Sequence, residues 1–307
     1  MKVAVTGATG YVGRFIVKRL IGEGAAVKAW RRPSSDLRGL PSSVEWIDGD
    51  LSVAESAAPL LAGADALVHA ALDHVPGRYR GGEGNDAARF LTVNVGGSLA
   101  LLEAARKAGV TRAVVLSSRA VFGRNVEGSI SDEHPVSPDT QYGAAKAALE
   151  EFVRRAGAGE MTIAALRPTG VYGIVEPLER SKWFSLVNDV LDGVKVAARS
   201  GTEVHGTDVA AAVFLLLHAP ARSVAGRVFN CSDLVVSNRD LVRLARNAAE
   251  ISAPLPAEET TRLGVMGTEA LASLGFAFGG RPLLERTVKD LVSAVRKARA
   301  EPTTTST

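Results

Sequence analysis

The sequence predicts a doubly wound parallel α/β fold with a smaller domain over the carboxyl edge of its sheet. Two observations carry that class. Short β-branched or apolar runs alternate with segments of 3.6-residue apolar periodicity through the first 171 residues, the order that gives a parallel sheet with helices on both faces. The alternation then breaks over 172–203 and 232–300, where irregular, aromatic-bearing segments take over. The expected units are therefore 1–171 with 204–231, a smaller substrate-binding unit from 172–203 with 232–300, and a disordered Thr-rich tail at 301–307.

The first strand is Val3-Ala-Val-Thr6, and the first helix starts at Tyr11, with Val12, Phe15, Ile16 and Leu20 on adjoining turns. Between them stand Gly7, Gly10 and Gly13. Gly7 permits a tight turn, Gly10 lets a pyrophosphate approach the backbone, and Gly13 lets helix and strand pack closely. The helix N-terminus then offers free N–H groups to the phosphates. Strand, glycine turn and helix in that order mark a dinucleotide-binding Rossmann unit.

Ala25–Trp30 reads as the second strand and ends at Arg31 and Arg32, with no carboxylate in that run. An acidic residue at this place binds the adenosine ribose of NAD, whereas an arginine accommodates the 2′-phosphate of NADP. The expected cofactor is NADP, with NAD possible. Val44–Ile47 is a third strand; Asp50 after it reads equally as a helix cap or an adenine contact. Ala66–Ala71 is a buried fourth strand, in which His69 is a packed core residue and the small Ala70 and Ala71 leave room for a cofactor. The polar loop Leu72–Asp86 carries His74, Arg78, Tyr79 and Arg80 at a strand's carboxyl end, where open α/β sheets bind ligands. Ala87–Ala108 is a long helix with Asn94 among apolar neighbours, a polar group that needs partners when buried.

Arg112–Ser118 is the fifth strand, ending in Ser117-Ser118. Arg119 follows at its carboxyl end. A charge there needs a partner: a substrate anion, or a salt bridge to Asp132 or Glu133. Pro138–Arg155 is a helix on which Tyr142 and Lys146 stand four residues apart, on one face. A lysine ammonium favours the phenolate of a neighbouring tyrosine and lowers its pKa. Tyr142 is then suited to exchange a proton with a substrate oxygen while hydride moves to or from nicotinamide. Met161–Leu166, Arg227–Cys231, Thr207–His218, Asn238–Glu250 and Arg281–Arg299 complete the predicted strands and helices.

Composition narrows the partners. Of 307 residues 46% are hydrophobic, the net charge is +3, and the basic residues are scattered, so neither a nucleic acid nor a membrane partner is expected. The longest apolar run, Val209–Leu217, is too short to cross a bilayer, and no charged-then-apolar leader precedes the first strand. A single cysteine, Cys231, leaves no internal disulfide and no cysteine metal cluster, which suits a reducing cytoplasm.

Taken together, Thr6-Gly-Ala-Thr-Gly-Tyr-Val-Gly13, His69-Ala-Ala71, Asn94 before Gly96-Gly97, Ser117-Ser118-x-x-Val121-Phe122-Gly123, Tyr142-x-x-x-Lys146 and Arg167-Pro-Thr-Gly-Val-Tyr-Gly173 resemble the extended short-chain dehydrogenase/reductase superfamily, and more closely the NAD-dependent epimerase/dehydratase family. The resemblance implies that Ser118 orients the substrate oxygen and that Tyr142 is the acid/base. It implies that Lys146 lowers the pKa of Tyr142 and holds the nicotinamide ribose, and that Asn94 belongs to the site. It places Pro168 and Val171 near the nicotinamide; together with the residue readings above, the expected cofactor set is Gly7, Thr9, Gly10, Tyr11, Val12, Gly13, Arg31, Arg32, Asp50, Leu51, Ala70, Ala71, Tyr142, Lys146, Pro168 and Val171, with Arg119, His74 and Tyr172 as substrate contacts and no metal. It also implies a homodimer through the helices Ala87–Ala108 and Pro138–Arg155.

Two departures stand out. Phe122 replaces the usual tyrosine, and the basic residue that nucleotide-sugar enzymes place shortly before a His-Val-x-Asp pattern is missing from Ser200–His205. The favoured function is an NAD(P)-dependent oxidoreductase acting on a small carbonyl or alcohol. The alternatives are a nucleotide-sugar epimerase or dehydratase with tightly bound cofactor, and a non-catalytic NADP-binding sensor, which the intact Ser118, Tyr142 and Lys146 set argues against.

Overall fold

The structure is a computed structural model, and it describes residues 1–75, 82–124, 126–156, 159–259 and 263–301. Arg78, Tyr79, Arg80 and the segment 302–307 lie outside the described residues. In chain order the elements are β1 (Lys2–Thr6), α1 (Tyr11–Gly22), β2 (Ala26–Arg31), β3 (Glu45–Asp48), α2 (Ala57–Leu61), β4 (Ala66–His69), α3 (Ala87–Leu91), α4 (Ser98–Lys107), β5 (Arg112–Leu116), β6 (Gly128–Ile130), α5 (Gln141–Ala156), β7 (Thr162–Pro168) and β8 (Gly170–Tyr172). There follow α6 (Phe184–Leu191), β9 (Ser200–His205), α7 (Gly206–His218), α8 (Ala221–Val224), β10 (Val228–Cys231), β11 (Leu234–Ser237), α9 (Asn238–Ala249), β12 (Gly264–Met266), α10 (Glu269–Ser273) and α11 (Gly280–Ala300).

The main sheet has seven strands in the order β10-β7-β5-β4-β1-β2-β3, and each pairing is parallel. Strand alternation sends Val3 and Val5 to one face and Ala4 to the other. On the first face α1 and α7 supply Phe15, Ile16, Leu20, Val209, Val213 and Leu216; on the second α2, α4 and α5 supply Leu60, Leu61, Leu101, Leu102, Leu149 and Val153. The expected doubly wound sheet is therefore observed. A third core gathers Tyr172, Val187, Val190, Leu241, Val242, Leu284, Val288 and Leu291 from β8, α6, α9 and α11. It lies with a three-stranded sheet ordered β11-β9-β8. Among the described residues no helix is long and apolar enough to cross a membrane.

Two helix boundaries differ from the expectation. α5 begins at Gln141 rather than Pro138, because the Thr140 hydroxyl accepts the Gly143 N–H at 3.1 Å and caps the helix there. The helix expected over Ala87–Ala108 is interrupted by a π turn at Thr92–Gly97, between α3 and α4. At its end the Ser98 hydroxyl donates to the Asn94 carbonyl.

Candidate functional site

The glycine turn is built by close approach. Gly7 has a φ of +71°, and a Cβ there would sit 2.5 Å from the Ala70 carbonyl carbon; at Gly13 it would sit 2.0 Å from the Gly7 oxygen. Both positions therefore demand glycine, and Gly7 draws the end of β4, with Ala70 and Ala71, against the turn. The Ala71 N–H donates to the Thr6 hydroxyl at 3.3 Å. Gly10 is the N-cap of α1, no side chain caps it, and no acidic residue stands in the first turn. The N–H groups at the start of the helix are left for an anion, which fits a dinucleotide pyrophosphate. Tyr11 donates its hydroxyl proton to the Gly173 carbonyl at 2.7 Å and accepts the Lys182 N–H at 3.1 Å, tying this turn to the segment beyond β8.

The two arginines at the end of β2 are not as isolated as the local sequence implies. Arg31 Nε donates to Asp48 Oδ1 of β3 at 3.0 Å, and Arg32 Nη1 stands 3.9 Å from Asp50 and 3.8 Å from Asp73. Asp50 is neither a helix cap nor free of its own loop: its Oδ1 accepts the Ser52 N–H at 2.9 Å. Leu51 is buried, and a Cβ on Gly97 would lie 2.3 Å from its carbonyl oxygen. Arg14 went unnoticed in the sequence. Its buried guanidinium donates to the carbonyls of Thr9, Asp36 and Arg38, fastening the 33–38 loop to the glycine turn. Ser35 adds to this by accepting the Arg32 N–H at 2.9 Å.

At the end of β4, His69 is a core residue as expected. Its ring nitrogens share hydrogen bonds with Thr6 at 2.7 Å and Ser98 at 2.8 Å, and burial lowers its pKa to about 3. Asn94 is fully engaged: its Oδ1 accepts the Asp73 N–H at 2.7 Å, and its Nδ2 donates to the Asp73 and Phe90 carbonyls. It clamps the chain leaving β4. His74 borders a cavity of about 180 Å3 with Asp73, Glu83, Arg89 and Phe90.

β5 and α5 bring the remaining residues together. Ser118 caps a short 3-10 turn, Arg119–Phe122, by accepting the Ala120 N–H at 3.1 Å. Gly143 of α5 rests on that turn, where a Cβ would lie 2.4 Å from the Ala120 oxygen. This contact sets Tyr142 and Lys146 beside the end of β5. Lys146 Nζ lies 6.0 Å from the Tyr142 ring centroid and donates to the Leu116 carbonyl at 2.7 Å. Burial lowers the Lys146 pKa to about 8, against the opposing pull of Glu150.

That shift has a stability consequence. The unfolded lysine binds more protons than the folded one between pH 8 and its ordinary pKa of 10.5, so stability rises with pH across that window and the full penalty applies below it. Denaturant titrations are expected to show the stability of the unmodified chain, relative to Lys146→Met, climbing by about 1–3 kcal/mol from pH 8 to pH 10.5. A flat difference would show that the ammonium is not desolvated.

Beneath these residues lies an ion pair that sequence reading missed. Glu150 and Arg167 are both 0% exposed and bond at 2.7 Å through two parallel contacts. Ser117 donates to the same carboxylate, so its hydroxyl is committed and Ser118 alone of the serine pair faces the turn. The signal was the continuation of the helix face: Tyr142, Lys146 and Glu150 recur every four residues. Arg119 donates to the Gly123 carbonyl at 3.3 Å and the Gly264 carbonyl at 3.2 Å. Pro168 is buried at the end of β7, and Val171 is partly exposed beyond it. Tyr172 corrects the expectation of a substrate contact. It is 0% exposed and stacks on Trp183 with ring centroids 4.9 Å apart, because alternation along β8 turns it into the third core.

Comparison with known proteins is consistent with this geometry. The family model described as "NAD dependent epimerase/dehydratase family" matches residues 3–232. The chain is 33% identical over 178 residues to sterol demethylase protein B of Methylococcus capsulatus, spanning 56% of this chain and 52% of that one. It is 34% identical over 221 residues to a 3 beta-hydroxysteroid dehydrogenase/Delta 5-->4-isomerase of Mycobacterium tuberculosis, spanning 66% of this chain and 57% of that one. The chain thus spans little more than half the length of these curated relatives. Among solved structures, UDP-glucose 4-epimerase of Thermotoga maritima superposes with a TM-score of 0.81 at 21% identity, covering 97% of this chain and 100% of that one, a likeness of fold. MoeE5, solved with UDP-glucose and NAD, superposes with a TM-score of 0.76 at 28% identity, covering 98% and 100%.

Proposed function

From the premise that this chain belongs to the NAD-dependent epimerase/dehydratase family, we propose that it is an NADP-preferring oxidoreductase acting on a small carbonyl or alcohol. The observation that carries this reading is the Tyr142 and Lys146 pair, seated by Gly143 against the Ser118 turn. Bound NADP supplies the hydride acceptor, and its reduced form the donor. Tyr142 takes the proton from the substrate hydroxyl in the oxidative direction and returns it in the reductive one. The Lys146 ammonium stabilises the phenolate. Ser118 orients the same substrate oxygen. Asn94 holds the backbone of Asp73 in the chain leaving β4, and Pro168 and Val171 line the nicotinamide end. The lone, buried Cys231 suits a reducing cytoplasm.

NADP preference is assigned to Arg32 in the first place. Arg31 is held by Asp48 at 3.0 Å, whereas the Arg32 side chain is 56% exposed with its nearest carboxylates at 3.8 and 3.9 Å. A charge-assisted contact to a 2′-phosphate contributes about 1.5–3 kcal/mol, roughly a tenfold preference or more. Titration is expected to give a lower Kd for NADP than for NAD, with Arg32→Ala losing most of the difference and Arg31→Ala less. Equal affinities in the unmodified chain defeat the assignment.

A homodimer is proposed through α4 and α5, whose outer faces carry the partly exposed Leu99 and Phe152 and the exposed Ala100 and Ala148. Light scattering at micromolar concentration is expected to give twice the chain mass, and a monomer mass contradicts it. The likeness to MoeE5 with UDP-glucose and NAD favours a second reading, a nucleotide-sugar epimerase or dehydratase.

A further inference from the structure

The segment that follows β8 crosses back over the glycine turn. Its two ends meet the Tyr11 hydroxyl, through the Gly173 carbonyl and the Lys182 N–H. Between them Arg180 Nη2 donates to the Thr9 carbonyl at 3.2 Å. That carbonyl has a second donor, Arg14 Nε of α1, at 3.3 Å. Two guanidinium groups from distant parts of the chain thus converge on one oxygen, one residue before Gly10, the N-cap of α1.

A carbonyl oxygen has lone pairs for both N–H groups but no formal charge to offset two cations. Among the described residues no carboxylate pairs with either guanidinium. Asp36 and Glu179 are drawn to Arg38, at 2.8 and 4.0 Å, and Glu176 turns its Oε2 toward Gly39, 2.8 Å from where a Cβ would be. Lys182, the other cation of this segment, is held by Glu203 of β9. Arg14 is 1% exposed, and its remaining contacts, the Asp36 and Arg38 carbonyls, are neutral as well. Burial, and after it the Arg180 charge, lower the Arg14 pKa from its ordinary value, against the opposing pull of Asp36 and Glu176. The free N–H groups at the start of α1 add their own positive potential to the same turn.

We infer that Arg180 is a ligand of the dinucleotide pyrophosphate, brought to the glycine turn by the segment that follows β8, while Arg14 fixes the turn from beneath. The N–H groups of α1 bind the anion from one side. The exposed Arg180 fork supplies the counter-charge from the other, with geometry suited to two phosphate oxygens. NAD and NADP share the pyrophosphate, so this contact is blind to the 2′-phosphate assigned to Arg32. The inference rests on the dinucleotide of the family, not on the small-alcohol reading or the NADP preference.

Isothermal titration of NAD and of NADP into the full chain tests it. Arg180→Gln keeps an N–H for the Thr9 carbonyl and removes the charge, at an exposed position where the fold does not depend on it. It is expected to raise both Kd values by the same factor, about tenfold. Arg180→Lys restores the charge and is expected to recover most of the loss. Unchanged Kd values in Arg180→Gln overturn the inference. A loss confined to NADP overturns it by placing the guanidinium on the 2′-phosphate. An Arg180→Lys variant as weak as Arg180→Gln overturns it by making Arg180 a tie for the segment and not a ligand. These titrations involve no turnover, so a chain that shows the expected shifts yet never changes nicotinamide absorbance refutes the oxidoreductase reading and leaves the pyrophosphate contact standing.

Discussion

Tyr142→Phe is expected to lower kcat by about 10²–10⁴-fold, the range that a positioned acid or base contributes, while the Kd for NADP stays nearly unchanged. The phenyl ring keeps the packing of α5 on the Ser118 turn, which depends on Gly143 rather than on the hydroxyl. The hydroxyl, and with it the exchangeable proton, is lost. The phenol needs a nearby cation because its ordinary pKa is near 10, and Lys146 is the buried ammonium 6.0 Å from the ring centroid. A variant that keeps its kcat on its true substrate removes Tyr142 from the chemistry. A variant that loses NADP affinity in proportion gives it a binding role instead.

Glu150→Ala is expected to destabilise the fold by about 3–5 kcal/mol, because removing one member of a buried ion pair strands the other charge. Arg167 is 0% exposed, and its remaining contacts are the Asp132 carbonyl at 2.8 Å, the Asn230 amide oxygen at 3.4 Å and the face of Phe122. None of these carries a formal negative charge. The loss corresponds to a fall in Tm on the order of 10 °C for a domain of this size. The same change removes the nearby charge that raises the Lys146 pKa, so the lysine titrates at still lower pH in the variant. Calorimetry that finds Glu150→Ala within about 1 kcal/mol of the unmodified chain contradicts the pair's structural role.

The doubly wound sheet was legible because its signals are local. Gly7, Gly10 and Gly13 mark the first turn, and apolar periodicity marks α1, α4 and α5. What stayed hidden depends on pairing between distant segments. Arg31 and Arg32 look unopposed in their own run, yet Asp48 arrives on β3 and Asp73 on the chain leaving β4. The π turn at Thr92–Gly97 is a change of backbone hydrogen bonding within a continuous helical run, which apolar periodicity does not register. Tyr172 sits in a strand of three residues, too short for alternation to declare its buried side. Lys182, in the segment before α6, and Glu203, in β9, are 21 residues apart and meet only in the folded chain. Asn94 was recognised as needing partners, but not that its partner is the backbone of Asp73.

The most direct test of the oxidoreductase reading is absorbance at the reduced-nicotinamide band while the purified chain meets a panel of small alcohols and carbonyls with NADP(H), and then with NAD(H). A net absorbance change proportional to the substrate consumed, faster with NADP(H), is the expected result. No net change with any of them, alongside isomerisation or dehydration of a nucleotide sugar in the same preparation, would contradict it.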